Sequence, residues 1–428
     1  MKTLIQPLKG TRDFYPEEMA IRTWLYDTVR KVSESFGYQE YEPPFLEPIE
    51  LYAAKSGEEL VNQQSFVFPD RGGNRITLRP ELTPSLARMV AQRQRQLVFP
   101  LRWWSWGPIW RYERPQKGRG REFFQWNIDL IGVDSPAADA EIVAIAATFF
   151  KEVGLSPQQV NIKIGHRGLI DQQFQLLEIP REQRPEVLRW IDRRDKMTNE
   201  VWEASATEIG LSAIQFDGLK EKLADFELWR QSPDLVTFFE LISSLGLSDY
   251  VSFDPHIIRG LLYYTGIVFE AWDIAGEFRA LCGGGRYDNL VSDVGGDPLS
   301  ATGFAMGDMV VTLLLQKNNC IPTALGIIPA PILVTVFDST QLAASFALAA
   351  ELRQAGFKIA CYPQADKLGK QFKYADRMCA KIVLVLGPDE IANNVVTIKD
   401  MVRHMQLTVN RTEIADVLRE MLAGHSSS

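Results

Sequence analysis

The sequence predicts an α+β protein that contains a helical insertion and ends in a small α/β domain. Residues 1–165 mix helix and strand patterns, whereas residues 166–250 are charge-rich and helical with few strand signals. Strand patterns with glycines return at 257–307. After a Pro/Gly-rich linker, strands and helices alternate, which is typical of a mainly parallel sheet.

Individual elements follow from hydrophobic periodicity and from the residues that end helices. Amphipathic patterns predict helices over 21–37, 80–94 and 137–154, and the first and third of these end at Gly37 and Gly154. The terminal domain is predicted to contain a βαβαβ unit with strands at ILVTVF, FKIACYP and KIVLVLG. The predicted division of the chain is a core segment 1–165, an insertion 166–250, a second core segment 251–322 and a terminal domain 331–428.

Composition and charge exclude several classes of protein. Of the 428 residues, 46% are hydrophobic and 23% are charged, as in ordinary soluble globular proteins. A net charge of −8 argues against nucleic-acid binding through global charge, but it is compatible with a local basic patch. No apolar run reaches the roughly 18 residues of a membrane span, and the four cysteines form no CxxC pair. We therefore expect a cytoplasmic protein with reduced thiols and no membrane segment.

Two alternating runs, WSWGPIWRYE and FFQWNIDLI, flank a basic loop and predict a β-hairpin. One face of the second strand carries large apolar side chains: Phe124, Trp126, Ile128 and Leu130. The other face carries mainly polar side chains: Phe123, Gln125, Asn127 and Asp129. Because Gln125 and Asp129 are about 13 Å apart along a strand, their side chains could hold the two ends of an amino acid. A half-exposed sheet with ordinary cross-strand pairs is the alternative.

The loop between these strands concentrates cations in an otherwise acidic chain. Residues 111–121 contain five basic side chains: Arg111, Arg114, Lys117, Arg119 and Arg121. Lysine and arginine in a glycine-containing loop suit phosphate groups, which arginine can bind through two hydrogen bonds. A solvated charged turn is the alternative.

Three further stretches are weaker signals when each is considered alone. Glu81 and Thr83 begin a predicted helix, where an acid often acts only as a cap or a dipole partner. The glycines of 283–285 more often form a tight turn than a ligand cradle, and Arg286 beside them is only suggestive. A helix within 366–381 carries lysines on one side, as either an exposed face or a contact to a polyanion.

Taken together and in this order, several stretches resemble class II histidyl-tRNA synthetases. The matching stretches are KGTRDFYP, GYQEYEPPFLE, LRPELT, RYERPQKGRGREFFQWNIDLIG, RGLLYYTGIVFE, CGGGRYDNL and KQFKYAD. The resemblance extends over nearly the whole chain and is closest to the archaeal and plant-organelle branch. The stretches at 259–270 and 283–288 are specific, because class II enzymes in general lack this pair.

The resemblance implies an architecture and a reaction. A six- to seven-stranded antiparallel catalytic sheet would be joined by an insertion that holds the tRNA acceptor stem and by a C-terminal α/β domain that binds the anticodon. Pro44 would lie in a dimer interface, so a homodimer is expected. The reaction would form histidyl-adenylate from L-histidine and ATP with Mg²⁺ and then transfer the histidyl group to tRNA(His). No prosthetic group, and no metal apart from the magnesium that accompanies ATP, is expected.

The family's site residues carry over onto this sequence position by position. The catalytic residues would be Arg111, at the α-phosphate and the substrate carboxylate, and Arg259, as a second positive charge at the α-phosphate. ATP would be bound by Arg111, Glu113, Arg119, Phe123 and Arg259. Histidine would be bound by Glu81, Thr83, Arg111, Gln125, Asp129, Arg259, Tyr263 and Tyr264. Contacts to tRNA would come from Gln116, Lys117, Lys370 and Lys373.

Within these sets the resemblance implies separate roles. Glu113 would meet the adenine amino group, Phe123 would stack on the ring and Arg119 would reach the distal phosphates. The α-amino group of histidine would be bound by Glu81, Thr83 and Gln125. Asp129 and Tyr264 would bind the imidazole, with Tyr263 beside them. A site that accepts the ring N–H rejects isosteres that lack this group.

Two departures from the family pattern concern the active site. Leu262 stands where the pattern RGLDYY has an aspartate. The third motif ordinarily ends Gly-x-Glu-Arg, with the arginine against ATP, whereas Gly307 is followed here by Asp308, Met309 and Val310. The resemblance therefore leaves open which group contacts the γ-phosphate and one face of adenine.

Two other functions remain open alternatives. One is a synthetase-like paralogue that binds histidine and regulates histidine biosynthesis without ligase activity. The other is a class II synthetase for another amino acid, such as proline, threonine or glycine. The intact loop cations, Arg259 and the terminal domain weigh against the first alternative, and the stretches RGLLYYTG and CGGGRYD weigh against the second.

Overall fold

The chain folds into two compact units, each with its own sheet and buried core. The computed structural model describes residues 4–53, 63–194, 197–258, 263–323, 325 and 330–424. The first unit extends to residue 323 and the second begins at residue 324. All four cysteines are free thiols, as the sequence predicts. No described helix combines the length and the hydropathy needed to cross a membrane.

The first unit alternates helices and strands on both sides of a helical stretch. Its helices are α1 (Pro16–Ser35), α2 (Glu50–Ala53), α3 (Thr83–Arg93), α4 (Pro136–Glu152), α5 (Arg167–Leu176), α6 (Arg184–Asp192), α7 (Asn199–Glu208), α8 (Ala213–Leu223), α9 (Pro233–Ser244), α10 (Leu290–Asp293) and α11 (Asp308–Lys317). Its strands are β1 (Gln39–Glu40), β2 (Leu46–Pro48), β3 (Phe66–Pro69), β4 (Arg75–Leu78), β5 (Leu101–Trp110), β6 (Glu122–Ile131), β7 (Val160–His166), β8 (Val251–Phe253), β9 (Ile267–Asp273), β10 (Cys282–Arg286) and β11 (Ala301–Gly307).

The three helices predicted for the first 165 residues are confirmed as α1, α3 and α4. Each carries a proline in its first turn, namely Pro16, Pro84 and Pro136. Proline is favoured there because its missing N–H would have no helical partner. In α4 the Ser135 side chain also accepts a hydrogen bond from the Ala137 N–H, which caps the helix. The helix predicted from residue 21 begins earlier, at Pro16.

The central sheet has eight described strands in the order β1-β5-β6-β11-β10-β9-β7-β8. The run from β5 to β7 is antiparallel throughout, whereas β1 and β8 join the two edges in parallel. The sheet is therefore larger than the six- to seven-stranded antiparallel sheet implied by the resemblance, and it is mixed at its edges. A separate sheet has the order β2-β4-β3.

The largest core lies between one face of this sheet and α4. Trp126 of β6 is fully buried there, with its ring centroid 5.4 Å from Phe149 of α4 and 4.8 Å from Phe304 of β11. Ile128 and Leu130 of β6 belong to the same core. The predicted packing face of the hairpin is thus confirmed, and alternation leaves the opposite face of β6 for polar side chains.

The described residues between β7 and β8 form helices and no strand, as predicted. Helices α5–α8 enclose a small core around Trp190 and Trp202, whose rings stack at 4.1 Å. Each of these indoles donates a 3.0 Å hydrogen bond to the backbone carbonyl of the other residue. Helix α9 instead adds Phe238 and Ile242 to the core under the central sheet. The predicted division into four domains stays a prediction.

The glycine-rich stretch 283–285 lies within β10, in the middle of the sheet, so the predicted tight turn is wrong. Arg286, at the end of this strand, is a core residue rather than a ligand group. Its Nη2 and Nε donate to Asp139 Oδ2 at 2.6 and 3.1 Å, and its Nη atoms donate to the carbonyls of Val133 and Ser135. The arginine is 7% exposed and the aspartate 1%. The pair therefore ties β10 to the start of α4.

Arg286→Met is expected to lower the free energy of unfolding of the first unit by about 3–5 kcal/mol, because it leaves the buried Asp139 carboxylate without its partner. Equilibrium denaturation in urea measures this change. The double variant Arg286→Met/Asp139→Ala should recover part of the loss, since no unpaired charge remains buried. A single variant as stable as the unmodified chain would contradict the assignment.

The second unit is a five-stranded sheet with helices. Its helices are α12 (Leu342–Gln354), α13 (Leu368–Arg377), α14 (Pro388–Ala392) and α15 (Ile414–Gly424), and its strands are β12 (Ile332–Val334), β13 (Ile359–Cys361), β14 (Ile382–Val385), β15 (Val395–Asp400) and β16 (Met405–Asn410). The strand order is β13-β12-β14-β15-β16. The predicted βαβαβ unit is confirmed by the parallel strands β12, β13 and β14. An antiparallel hairpin, β15–β16, makes the sheet mixed rather than mainly parallel.

Candidate active site

The polar face of the β5–β6 hairpin borders two joined cavities. In the sheet register, Gln125 pairs with Gly107 and Gly307, and Asp129 pairs with Gly303. The glycine at 303 leaves space for the Asp129 side chain. A Cβ atom on Gly303 would come within 2.1 Å of Asp129 Oδ1, so only glycine fits there.

The inner cavity collects the residues predicted to bind histidine. With the exception of Arg259, which lies outside the described residues, all of them line it: Glu81, Thr83, Arg111, Gln125, Asp129, Tyr263 and Tyr264. Asn127 and Tyr287 also contribute to its walls, together with backbone of β10 and β11. Its buried acids, amides and hydroxyls suit a small polar ligand that is held by hydrogen bonds.

The outer cavity collects the residues predicted to bind ATP, again apart from Arg259. These residues are Arg111, Glu113, Arg119 and Phe123. Residues that were not predicted also line it, among them Glu270, Arg279 and Val310. The two cavities are contiguous, because they share Arg111, Gln125, Gly283 and Ala305. Among the described residues, no group of three or more Asp, Glu, His or Cys side chains could hold a metal ion.

Arg111 lies at the junction of the two cavities. Its Nε donates a 2.8 Å hydrogen bond to the carbonyl oxygen of Pro80, just before α3. Its guanidinium carbon is 5.6 Å from the centroid of the Phe123 ring. The backbone contact fixes the orientation of a planar group that can bind carboxylate or phosphate through two hydrogen bonds. Arg111 can therefore meet negatively charged groups from both cavities.

Glu113 and Arg119 form an ion pair across the hairpin loop. Arg119 Nη2 donates to Glu113 Oε1 at 2.7 Å, and Arg119 Nε lies against Glu113 Oε2. Backbone hydrogen bonds of 2.9 and 3.0 Å between Gln116 and Arg119 close the turn that presents the arginine. The resemblance gives the two residues separate ligands, adenine and the distal phosphates. If the two residues have those roles, contacts to ATP would replace the contacts between Glu113 and Arg119.

Asp129 is the buried acid of the inner cavity, with 2% of its surface exposed. Tyr287 Oη donates a 2.5 Å hydrogen bond to Asp129 Oδ1, while Oδ2 has no hydrogen-bond partner in the described part of the chain. Burial raises the pKa of Asp129 to about 7, although the hydrogen bond from Tyr287 acts in the opposite direction. One oxygen thus stays available to accept a hydrogen bond from a ligand N–H.

Tyr287→Phe is expected to raise the pKa of Asp129. In the unmodified chain the Tyr287 hydroxyl donates to the carboxylate and so stabilises its charged form, and the variant lacks this hydrogen bond. If the carboxylate accepts the imidazole N–H, histidine affinity rises with pH through about 7 in the unmodified chain and through a higher pH in the variant. Calorimetric titration of histidine between about pH 6 and 9 measures both midpoints, and the titration of the ligand itself is common to both proteins.

The matched control for this measurement is Tyr26→Phe, which removes an exposed hydroxyl that contacts Glu40 at 3.1 Å outside both cavities. This control should leave the midpoint where it is in the unmodified chain. Coincident midpoints for Tyr287→Phe and the unmodified protein would contradict the role of Tyr287.

The residues predicted to contact tRNA line neither of these two cavities. Gln116 and Lys117 are exposed in the hairpin loop, where Lys117 Nζ lies 5.3 Å from the Phe278 ring centroid. Lys370 and Lys373 are exposed on α13 of the second unit, and Lys370 pairs with Asp366 at 3.1 Å. Their contact with tRNA stays a prediction.

Tyr287 and Arg279 are site residues that sequence reasoning missed. For Tyr287 a signal exists: with 282–286 as a strand rather than a turn, alternation places Tyr287 on the same face as Gly283. Arg279 follows Phe278 in a short loop and belongs to no motif that the sequence analysis used. Its position is known only from the fold.

The fold and the site together define a class II aminoacyl-tRNA synthetase: a largely antiparallel sheet carries an arginine-bearing hairpin over two joined cavities, and a separate α/β unit follows. The family model for histidyl-tRNA synthetase matches residues 10–309, and the model for an anticodon-binding domain matches residues 332–421. The chain belongs to the histidyl-tRNA synthetase family.

Individual relatives agree with this assignment over nearly the full length. The histidine–tRNA ligase of Leptospira biflexa is 35% identical over 443 residues, covering 99% of each chain. The chloroplastic/mitochondrial histidine–tRNA ligase of Arabidopsis thaliana is 36% identical over 424 residues, covering 96% of this chain and 86% of the relative. The crystal structure of histidyl-tRNA synthetase from Nostoc sp. PCC 7120 superimposes with a TM-score of 0.80 at 25% identity, covering 98% and 100% of the two chains.

Proposed function

We propose that this chain ligates histidine to tRNA(His) in two steps, with ATP in the outer cavity and histidine in the inner one. The observation that carries the proposal is the junction: Arg111 lines both cavities and is held there by the carbonyl of Pro80. A histidine carboxylate and an ATP α-phosphate that meet at this point would share one guanidinium.

In the first step, a carboxylate oxygen of histidine attacks the α-phosphorus of ATP. The bond from this phosphorus to the bridging oxygen of the β-phosphate breaks, and pyrophosphate leaves with the electron pair. Arg111 counters the charge that develops at phosphorus, and Arg259 is the second cation proposed for this task. A fixed donor of this kind contributes about 10²- to 10³-fold to a rate, and holding both reactants in joined cavities adds the benefit of proximity.

Recognition of histidine rests on the inner cavity. Oδ2 of Asp129 accepts the imidazole N–H, and Tyr264 lines the same cavity. Glu81, Thr83 and Gln125 line the same cavity and bind the α-amino end. Because Asp129 is buried and its Oδ2 has no hydrogen-bond partner among the described residues, a ligand without a ring N–H would leave this acceptor unpaired.

In the second step, a hydroxyl oxygen of the terminal ribose of tRNA attacks the carbonyl carbon of histidyl-adenylate. The bond from this carbon to the phosphate oxygen breaks, and AMP leaves with the electron pair while a phosphate oxygen of AMP takes up the hydroxyl proton. The exposed loop residues Gln116 and Lys117 contact the tRNA end that enters the cavities. The exposed lysines of α13, Lys370 and Lys373, contact the anticodon arm through its phosphates. Mg²⁺ enters as part of the ATP complex and neutralises the polyphosphate.

Two further properties belong to the proposal. A homodimer is expected, and the exposed apolar side chains of Phe45 and Leu46, beside Pro44, support pairing with a second copy. Their exposed fractions are 46% and 47%. The cytoplasm, where tRNA is charged, is the expected compartment.

Exchange of labelled pyrophosphate into ATP tests the proposal, with histidine, proline, threonine and glycine supplied separately. Exchange that depends on histidine alone supports the ligase. Exchange with another amino acid instead would identify a sister synthetase. Histidine binding by calorimetry without any exchange would identify a regulatory paralogue, an alternative against which the retained cations Arg111 and Arg119 weigh.

A further inference from the structure

The loop between β9 and β10 is a built structure that presents Arg279 at the outer cavity. The backbone N–H groups of Glu277 and Phe278 donate to the two carboxylate oxygens of Asp273, at 2.9 and 3.1 Å. Asp273 is itself 4% exposed. The Leu281 N–H then donates to the carbonyl of Ala271 at 2.8 Å. Arg279 is thus held between two anchored points.

The strand register brings this loop beside the start of α11. Cys282 of β10 pairs with Ala271 of β9 on one side and with Met306 of β11 on the other. Helix α11 begins directly after β11, and its residues Met309 and Val310 line the same cavity as Arg279. Helix α11 thus offers this cavity an apolar side chain at Val310, and the neighbouring loop offers a cation.

Of the arginines that line the outer cavity, Arg279 is the one without a fixed contact. Arg111 donates to Pro80, and Arg119 pairs with Glu113. Within the described part of the chain, the Arg279 guanidinium has neither an ion pair nor a hydrogen bond. Burial and the like charge of Arg111 lower the pKa of Arg279, and Glu270 partly offsets this effect. Arg111 and Arg279, two cations that line one cavity, thus form a site for a multiply charged anion.

We propose that Arg279 binds the β- and γ-phosphates of ATP and stabilises the pyrophosphate that leaves. This inference rests on the function proposed above and names a further catalytic residue for it. When the bond between the α-phosphorus and the bridging oxygen breaks, the electron pair and its negative charge pass to pyrophosphate. Arg279 meets that charge on the side of the cavity away from the reacting carboxylate, while Arg111 stays at the α-phosphate.

The test compares ligands that contain the distal phosphates with one that lacks them. Arg279→Ala is expected to weaken binding of ATP and of pyrophosphate by about 10- to 100-fold, the effect of losing a hydrogen bond to a charged group. Binding of a non-hydrolysable histidyl-sulfamoyl adenosine, which has no β- or γ-phosphate, should change less than about threefold. Arg279→Lys should restore part of the ATP affinity, because it keeps the charge but not the planar fork.

Three results would overturn the inference: unchanged ATP and pyrophosphate affinity in Arg279→Ala, equal weakening of ATP and the adenylate analogue, or no gain from lysine over alanine. Arg181→Ala is the matched control, since Arg181 is exposed and lines neither cavity. Unmodified protein must first show histidine-dependent exchange. Failure at that stage contradicts the proposed function, whereas failure confined to the Arg279 variants contradicts only this assignment.

Discussion

Arg111→Ala is expected to reduce histidine-dependent pyrophosphate exchange by about 10²- to 10³-fold without unfolding the chain. The side chain lies at the junction of the two cavities, and only its Nε is used by the Pro80 contact named above. Its removal leaves the reacting carboxylate and α-phosphate without the cation between them. Single-turnover formation of histidyl-adenylate at saturating ATP and histidine measures the effect on the chemical step.

Two companion variants make this result interpretable. The exchange rate of Arg111→Lys should lie between the rates of Arg111→Ala and the unmodified chain, because lysine supplies a point charge without the planar fork. Arg95→Ala should have no effect, since Arg95 is exposed and outside both cavities. Retention by Arg111→Ala of more than about a tenth of the rate would place the reacting groups elsewhere.

Asp129→Asn is expected to weaken histidine binding by about 10²-fold or more at pH 8, because a charged acceptor inside a buried site is replaced by a neutral amide. The pH dependence of histidine affinity provides a second test of the same residue. With a pKa of about 7, Asp129 is neutral in acid and charged above neutrality, so histidine affinity of the unmodified chain rises through that range. The asparagine variant should lack this rise, and calorimetric titration at several pH values measures both properties.

The stability of Asp129→Asn supplies an internal check on the same pKa. The folded-state pKa of Asp129 is raised, so its proton is bound more tightly in the folded than in the unfolded chain. The contribution of Asp129 to the free energy of unfolding is therefore fully present below about pH 4, and it is lost as the pH rises through about 7. The variant should therefore gain stability relative to the unmodified chain between pH 5 and pH 8. A difference that stays constant over that range would contradict the raised pKa.

Local alternation was sufficient to predict the most important part of the site. Strand β6 carries Trp126 into the core and Gln125 and Asp129 toward the inner cavity, as the period of two in the sequence predicts. The roles of Glu113 and Phe123 came from the resemblance, and both residues do line the outer cavity. In each case the information lies within one short stretch of chain.

What could not be predicted depends on contacts between residues far apart in sequence. The glycines of β10 looked like a turn, because only the neighbouring strands show that a Cβ on Gly284 would meet the carbonyl oxygen of Gly303 at 2.1 Å and one on Gly285 that of Ile267 at 2.6 Å. Tyr287 meets Asp129 across 158 positions, and Arg286 finds Asp139 across 147. Neither partnership has a local signature, so Arg286 was interpreted as a possible ligand group when it is part of the core.

In the second unit the sequence wrongly predicts a mainly parallel sheet, and this error has another cause. Strands β15 and β16 form an antiparallel hairpin whose exposed strand, β16, alternates in burial. The βαβαβ pattern before it predicts parallel pairing, and that expectation was extended to the whole domain. Strand β15 already pairs antiparallel with β14, and a short connection then joins β15 to β16, which only antiparallel strands allow.

A crystal structure of the chain with histidyl-sulfamoyl adenosine tests the central claim most directly, since this single molecule must occupy both cavities. We predict the adenine ring against Phe123, the sulfamoyl group within hydrogen-bond distance of Arg111, and an imidazole nitrogen within hydrogen-bond distance of Asp129 Oδ2. An analogue bound with its imidazole away from Asp129, or with its two halves outside the cavities that meet at Arg111, would contradict the account.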